Sequence, residues 1–202
     1  MKVLVTGHRG FIGQHVFADW RREFGYANVH GIDKPDCVSD FKGGDYDLVI
    51  HLAAWADIRE SLENPDAYYE NNVVKAKPLF DWCGQTNTRL LYASSSAVDG
   101  NYWENPYAMS KWINEQMAPP NSVGMRFTTV YAPDSRDNMM YGLLRDKKAT
   151  YVTNHRRDWI HVHDVCSAIR FLAPTTVTGP VPVGYGESVP VRKLAEKFGQ
   201  GD

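Results

Sequence analysis

The chain has 202 residues, enough for one core of ordinary size and too few for two full domains. A net charge of −2 gives no broad basic surface for nucleic acid, and no apolar run approaches a membrane span. Cys37, Cys83 and Cys166 show no metal-like pairing, and the first residues lack the apolar stretch of a signal peptide, so free thiols and a cytoplasmic location are expected.

Val3 to Thr6 reads as the first strand, and Gly7, Gly10 and Gly13 follow it, directly before a helical stretch from Gln14 to Glu23. Without Cβ atoms at those three places the chain can turn sharply, let a pyrophosphate approach its backbone, and press the new helix against the strand. The free N–H groups at the helix start then face the phosphates. Val29 to Ile32 reads as the second strand, closed by Asp33 twenty residues after Gly13. An acid there accepts hydrogen bonds from an adenosine ribose and repels a 2′-phosphate, which favours NAD. Arg9 has the opposite tendency, because a guanidinium pairs well with a phosphate.

Leu48 to Ala54 and Leu90 to Ser94 read as the third and fourth strands, and Ser94-Ser95-Ser96 stands at the end of the latter. Tyr107 and Lys111, four apart at the head of the next helix, share one face. Lowering a tyrosine from its ordinary pKa of about 10 by roughly 3 units needs about 4 kcal/mol. A lysine charge at about 4 Å supplies about that much at an effective dielectric near 20. A serine hydroxyl at the adjacent strand end can hold a substrate oxygen in line for proton transfer. Val123 to Val130 completes the strands, and from Ala132 onward the sequence turns irregular, with shorter helical pieces near His163 to Leu172 and Val191 to Phe198. Strand–helix alternation of this kind predicts an α/β, Rossmann-type doubly wound parallel sheet. A dinucleotide-binding domain is expected over 1–131, with a small substrate-side lobe over 132–202 that partly returns to the main sheet.

Several segments carry a resemblance. They are Thr6-Gly7-x-x-Gly10-Phe11-Ile12-Gly13, His51-Leu52-Ala53-Ala54, Ser61-Leu62-Glu63-Asn64-Pro65, Asn72-Val73, Tyr92 to Val98, Tyr107-x-x-x-Lys111, Arg126 to Tyr131, and Arg157-Asp158-Trp159-Ile160-His161-Val162-x-Asp164-Val165. In this order they resemble the extended short-chain dehydrogenase/reductase family, within it the nucleotide-sugar epimerase/dehydratase group. The resemblance implies Ser95, Tyr107 and Lys111 as catalytic residues. It implies cofactor contacts from Gly7, Arg9, Gly10, Phe11, Ile12, Gly13, Asp33, Asp40, Leu52, Ala53, Ala54, Asn72 and Ser94, together with Tyr107 and Lys111. Substrate contacts are expected from Ser95, Ser96, Thr129, Arg136 and Arg157, the two arginines suiting a pyrophosphate or uronate. His161 and His163 share a strand face near Asp164, yet the family holds no metal there, and none is expected.

The family's dehydratases carry acids just after the catalytic serine or threonine, where this chain has Ser96 and Ala97. That points to NAD-dependent 4-epimerisation of a UDP-sugar, with a dehydratase, a decarboxylase, an NADPH-dependent reductase or a non-catalytic dinucleotide binder as alternatives. The run Ile58 to Pro65 most resembles UDP-glucuronate and related 4-epimerases. Asp99 stands where a tyrosine is usual, Ala132 replaces a glycine, and the lobe reaching only to Asp202 is expected to be reduced. Relatives pair through two helices, here Pro65 to Gln85 and Pro106 to Met117. A homodimer is therefore expected, with Trp82, Trp112, Ile113 and Met117 either supplying apolar contacts or packing against the chain's own sheet.

Overall fold

The computed structural model describes residues 1–200. Its first unit is β1 (Val3–Thr6), α1 (Phe11–Phe24) and β2 (Val29–Ile32), with β2 parallel to β1. The helix starts three residues before the expected Gln14, because Gly10 already serves as its N-cap. Then come β3 (Leu48–His51), α2 (Ile58–Glu63), α3 (Pro65–Tyr69), α4 (Lys77–Thr86) and β4 (Arg89–Ser95). The helix expected over Pro65 to Gln85 is interrupted by a π-helical turn, Glu70–Val74.

α5 (Pro106–Met117) leads to β5 (Ser122–Phe127) and β6 (Thr129–Tyr131). The expected strand over Val123 to Val130 is thus two strands in two sheets. Thr128 is the crossing point, its N–H bonded to the Val183 carbonyl at 3.1 Å. The remaining elements are α6 (Met140–Arg145), β7 (Arg156–His161), α7 (Val162–Leu172), β8 (Gly179–Val183), β9 (Ser188–Pro190) and α8 (Val191–Lys197).

The main sheet has the order β2-β1-β3-β4-β5-β8, every pairing parallel. β2 lies on one side of β1 and the later strands on the other, so the order reverses between β1 and β3. A crevice at the carboxyl ends of these two strands is the ligand position this topology creates. The sheet is covered on both faces, which is why its strands read as unbroken apolar runs. Val3, Val5, Ile50 and Leu91 face α1 and α7, meeting Val16, Trp20, Val165 and Ile169. Leu4, Val49, Leu90 and Tyr92 face α4, meeting Leu79, Phe80 and Cys83. A second sheet, β6-β7-β9, stands beside a small core of Leu144, Val191 and Ala195. Cys83 and Cys166 are buried free thiols, pushed up to about 12 and about 11 by desolvation, so neither is a ready nucleophile.

Two buried polar side chains tie the sheet to its surroundings. Arg89, at the start of β4, donates to the carbonyls of Leu172 at 3.2 Å and Val177 at 2.7 Å, joining the end of α7 to the approach of β8. His51, at the end of β3, shares a 2.7 Å hydrogen bond between its Nδ1 and the Thr6 hydroxyl. Desolvation, with a contribution from the Lys111 charge, lowers His51 to about 3 and keeps it neutral. In the unfolded chain it regains its ordinary affinity for a proton, so its contribution is complete above about pH 6.5 and is lost as pH falls towards 3. The slope is about 1.4 kcal/mol per pH unit. Urea unfolding at about pH 6.5 and 4.5 should therefore show wild type losing about 2 kcal/mol more than His51→Gln; parallel losses would contradict this origin.

Candidate active site

The crevice between β1 and β3 is built on glycine contacts. A Cβ on Gly7 would lie 2.6 Å from the Ala53 nitrogen, and one on Gly13 would lie 1.9 Å from the Gly7 carbonyl oxygen. Gly7 also has a φ of 71°, which favours glycine. The Gly10 N–H closes the turn onto the Gly7 carbonyl at 2.9 Å. α1 starts at Gly10 without a side-chain cap and without an acid in its first turn. The N–H groups of its opening residues are therefore left for an anion. The Phe11 side chain belongs to the core, so Phe11 offers the crevice its backbone.

The rim of the crevice comes from three neighbouring strand ends. Leu52 donates its N–H to the Thr6 carbonyl at 3.0 Å, and Ala53 and Ala54 continue into the loop. β3 therefore ends at His51, short of the expected Ala54. Asp33, closing β2, accepts the Arg9 N–H at 2.7 Å and the Lys34 N–H at 2.8 Å. Asp40 is exposed in the turn Val38–Asp40. A tight glycine turn, an uncapped helix and a strand-end acid together fit a dinucleotide.

Asn72 differs from the expectation of a cofactor contact. It is 1% exposed, and its amide accepts the Trp55 N–H at 2.8 Å while donating to the Trp55 carbonyl at 2.9 Å and the Ser110 hydroxyl at 3.1 Å. In this position it clamps the loop after β3 to α5, and the π-helical turn supplies the bend that aims it.

Ser95, Tyr107 and Lys111 are brought together by β4 and α5. Ser95 is the last residue of β4, its hydroxyl accepting the Ala97 N–H at 3.2 Å. Asn105 caps α5 by accepting the Ala108 N–H at 2.7 Å, and Pro106 occupies the first turn, so Tyr107 sits at the helix mouth. Burial pushes the Tyr107 phenol above its ordinary value, and hydrogen bonding with Ser95 pulls it back in part. Lys111 is 3% exposed, donates to the Ala93 carbonyl at 2.9 Å, and is lowered by desolvation to about 8. Its ammonium is 5.8 Å from the centre of the Tyr107 ring. The expected depression of the phenol by an ammonium at about 4 Å is therefore corrected: Lys111 donates to the strand, and desolvation dominates Tyr107.

Ser94 also differs from its expected cofactor role, since its hydroxyl donates to Glu115 Oε1 at 2.5 Å. The Glu115 side chain is 2% exposed and receives Arg126 at 2.9 and 2.6 Å, while Arg126 reaches Asp99 at 2.5 Å. Sequence reasoning passed over Glu115. Its signal was the spacing Tyr107, Lys111, Glu115, one helix face stepping by four.

The expected substrate contacts are dispersed. Ser96 and Thr129 are half-buried, beside Ser95 and at the start of β6. Arg136 is exposed and reaches the Arg9 carbonyl at 3.4 Å, against the glycine turn. Its loop is held by Arg145, which donates to the carbonyls of Pro133 and Ser135. Arg157, on β7, is half-buried and shifted down by desolvation, with no ion pair among the described residues. Arg59, on α2, donates to the Tyr151 hydroxyl at 3.0 Å and joins α2 to the segment before β7. The rings of His161 and His163 are 4.8 Å apart, and among the described residues no group of three His, Cys, Asp or Glu could hold a metal ion.

A family model described as NAD dependent epimerase/dehydratase family matches residues 3–185. Protein CapI of Staphylococcus aureus is 30% identical over 230 residues, covering 84% of this chain and 68% of that protein. UDP-glucuronate 4-epimerase 4 of Arabidopsis thaliana is 28% identical over 225 residues, covering 81% of this chain and 52% of that enzyme, so the chain matches about half the length of this relative. Among solved structures, MoeE5 in complex with UDP-glucose and NAD has a TM-score of 0.83 at 25% identity, covering 100% of this chain and 87% of that one. The NAD-dependent NDP-hexosamine 5,6-dehydratase TunA shares the fold, with a TM-score of 0.84 at 22% identity and the same full coverage of this chain against 82% of its own.

The buried Lys111 has a thermodynamic signature. The unfolded chain holds this proton up to the ordinary 10.5 and the folded chain only to about 8. The cost of burying the charge is in full force below about pH 8 and is relieved as pH rises towards 10.5. Between about pH 8 and pH 10 wild type should gain about 2 to 3 kcal/mol in urea unfolding relative to Lys111→Met. Identical profiles would contradict a desolvated ammonium.

Proposed function

We propose that this chain, which belongs to the NAD dependent epimerase/dehydratase family, inverts C4 of a UDP-sugar through a transient 4-keto sugar. The observation that carries the choice is the fate of the carboxylates around β4. Asp99 follows Ser95, Glu115 follows Lys111, and both are locked onto Arg126. Ser96 and Ala97 hold the places where the family's dehydratases carry acids. No carboxylate in this group is free to expel water, so oxidation without elimination is the chemistry that fits. The likeness to an Arabidopsis UDP-glucuronate 4-epimerase makes UDP-glucuronate the first substrate to test.

In this reading the Ser95 hydroxyl holds the sugar 4-hydroxyl, and Tyr107 takes its proton as C4 is oxidised. When bound, NAD would supply reversible hydride acceptance at C4. Its pyrophosphate would rest on Gly7, Gly10 and the first turn of α1, and its adenosine end beside Asp33. The Ser95 hydrogen bond makes the Tyr107 phenolate less costly to form, and Lys111, one turn along the helix, would be available to the bound cofactor. The half-buried Arg157 has no protein partner among the described residues, and a substrate pyrophosphate would give its charge one. Arg136, on its braced loop, is the second candidate for the uronate. The substrate side is assigned to the segment after Tyr131, apart from β8, which joins the main sheet, and α7, which covers one of its faces.

A cytoplasmic homodimer is part of the same proposal. Trp82 and Met117, partly buried, pack against the core beside Phe41 and Tyr46, the second of the two readings open for them. Leu62, Tyr69, Val74 and Trp103 are exposed on and around α2, α3 and α5 and take their place. Sedimentation at micromolar concentration should give a dimer, and a lone monomer would refute the pairing.

Incubation with NAD and UDP-glucuronate, UDP-glucose or UDP-N-acetylglucosamine, read by NMR, should give the C4 epimer without net NADH. Tyr107→Phe should lower the rate by about 100-fold or more. A 4-keto-6-deoxy product would convert the reading to a dehydratase. Unchanged sugars alongside bound NAD would refute turnover for this panel.

A further inference from the structure

We propose that Asp99 is a positioning residue for the reacting hydroxyls: its carboxylate pins the turn Ser96–Asp99 onto Arg126, and through that turn fixes the direction in which Ser95 offers its hydrogen to Tyr107. The inference rests on the reading of Ser95 and Tyr107 as the reacting pair and adds a residue bonded to neither. The turn is a single 3₁₀ turn that leaves β4 directly after Ser95. Its Ala97 N–H is donated to the Ser95 hydroxyl oxygen at 3.2 Å. A serine hydroxyl has two acceptor positions and one hydrogen, so an N–H held on the oxygen limits where the hydrogen can point. The place of Ala97 therefore decides how Ser95 meets the phenol.

Two anchors set that turn. Val98 is buried at its middle, and at its end Asp99 accepts from the Arg126 guanidinium at 2.5 Å. Gly100 and Asn101, which follow, are exposed. The second anchor is firm because Arg126 is itself fixed. It stands opposite Ser94 in the β4–β5 ladder and donates to both oxygens of Glu115 at 2.9 and 2.6 Å, while Ser94 donates to the same carboxylate at 2.5 Å. One guanidinium thus joins β5, α5 and the turn, with β4 tied in through Ser94. Glu115, its side chain 2% exposed, already balances the charge of Arg126. Asp99, its side chain 54% exposed, is a second carboxylate on the same cation. A pair so open to water adds little stability. What it supplies is the place of the turn.

NMR of the full chain with isotope-labelled tyrosine follows the Tyr107 phenol through a pH titration without cofactor or substrate, its signal identified by its absence from Tyr107→Phe. Two effects of Asp99→Ala have opposite signs. Removing a negative charge would ease ionisation of the phenol, whereas a misdirected Ser95 withdraws a hydrogen bond that stabilises the phenolate. The midpoint should therefore rise, by about half a pH unit or more. In a Ser95→Ala background, where that hydrogen bond is already gone, Asp99→Ala should produce no rise. Lys111, whose ammonium lies 5.8 Å from the centre of the Tyr107 ring, is unaltered in every variant. Arg126 keeps Glu115 and Val98 keeps its burial, so folding is not at stake. An unchanged or lowered midpoint in Asp99→Ala, or a rise that persists without Ser95, would overturn the positioning role. The titration needs no turnover, so its result stands apart from the epimerase reading. In turnover with UDP-glucuronate, Asp99→Ala should lower kcat by about tenfold and leave KM within about twofold; a change in KM alone would also overturn the role.

Discussion

The absence of side chains at Gly7 and Gly13 is the constraint on which the rest of this molecule depends. With a Cβ on Gly13 required to sit 1.9 Å from the Gly7 carbonyl, and one on Gly7 2.6 Å from Ala53, the start of α1, the end of β1 and the loop after β3 share one small volume. That contact seats α1 on the sheet and opens its uncapped N-terminus onto the crevice. It also puts the end of β3 beside the end of β1, so that His51 meets Thr6. The ligand position follows from this meeting of three backbones, before any reactive side chain is considered.

The reactive side chains stand on the other half of the crevice, where α5 presents polar groups to the interior. Lys111, Glu115, Ser110 and Asn114 are all withdrawn from solvent on one helix, an arrangement that costs stability unless each group is bonded. The partners differ in kind. Glu115 is answered by a guanidinium, Ser110 by the Tyr107 carbonyl and the Asn72 amide, and Lys111 by a single carbonyl. Lys111 is thus the least compensated charge of the group and stands one turn from Tyr107. A poorly compensated ammonium one turn from a phenol whose hydroxyl is held by Ser95 is a poor device for stability and the kind of perturbed group that functional sites collect.

Much of this was legible in the sequence. Parallel strands buried on both faces show as apolar runs, and the glycine spacing, Asp33, Ser95, Tyr107 and Lys111 lie at strand ends and helix starts. What escaped depends on tertiary partners. The helix expected over Pro65 to Gln85 breaks at Glu70–Val74, where Asn72 reaches across to Trp55, a bond no local pattern announces. The run from Val123 to Val130 is apolar throughout, and only the pairing of Thr128 with Val183 reveals that it changes sheets. β8 contains Pro180 and Pro182, which speak against a strand unless it lies on an edge, as it does here. Ser94 and Ser95 look alike in sequence, yet strand alternation turns Ser94 to Glu115 and leaves Ser95 for Tyr107.

The central claim is that the chain oxidises and re-reduces C4 without exchanging that hydrogen with water. Its most direct test is UDP-glucuronate carrying deuterium at C4, incubated in ordinary water with the chain and NAD and followed by NMR. The account predicts that the C4 epimer appears with its deuterium retained. An epimer with hydrogen from solvent at C4 would contradict it.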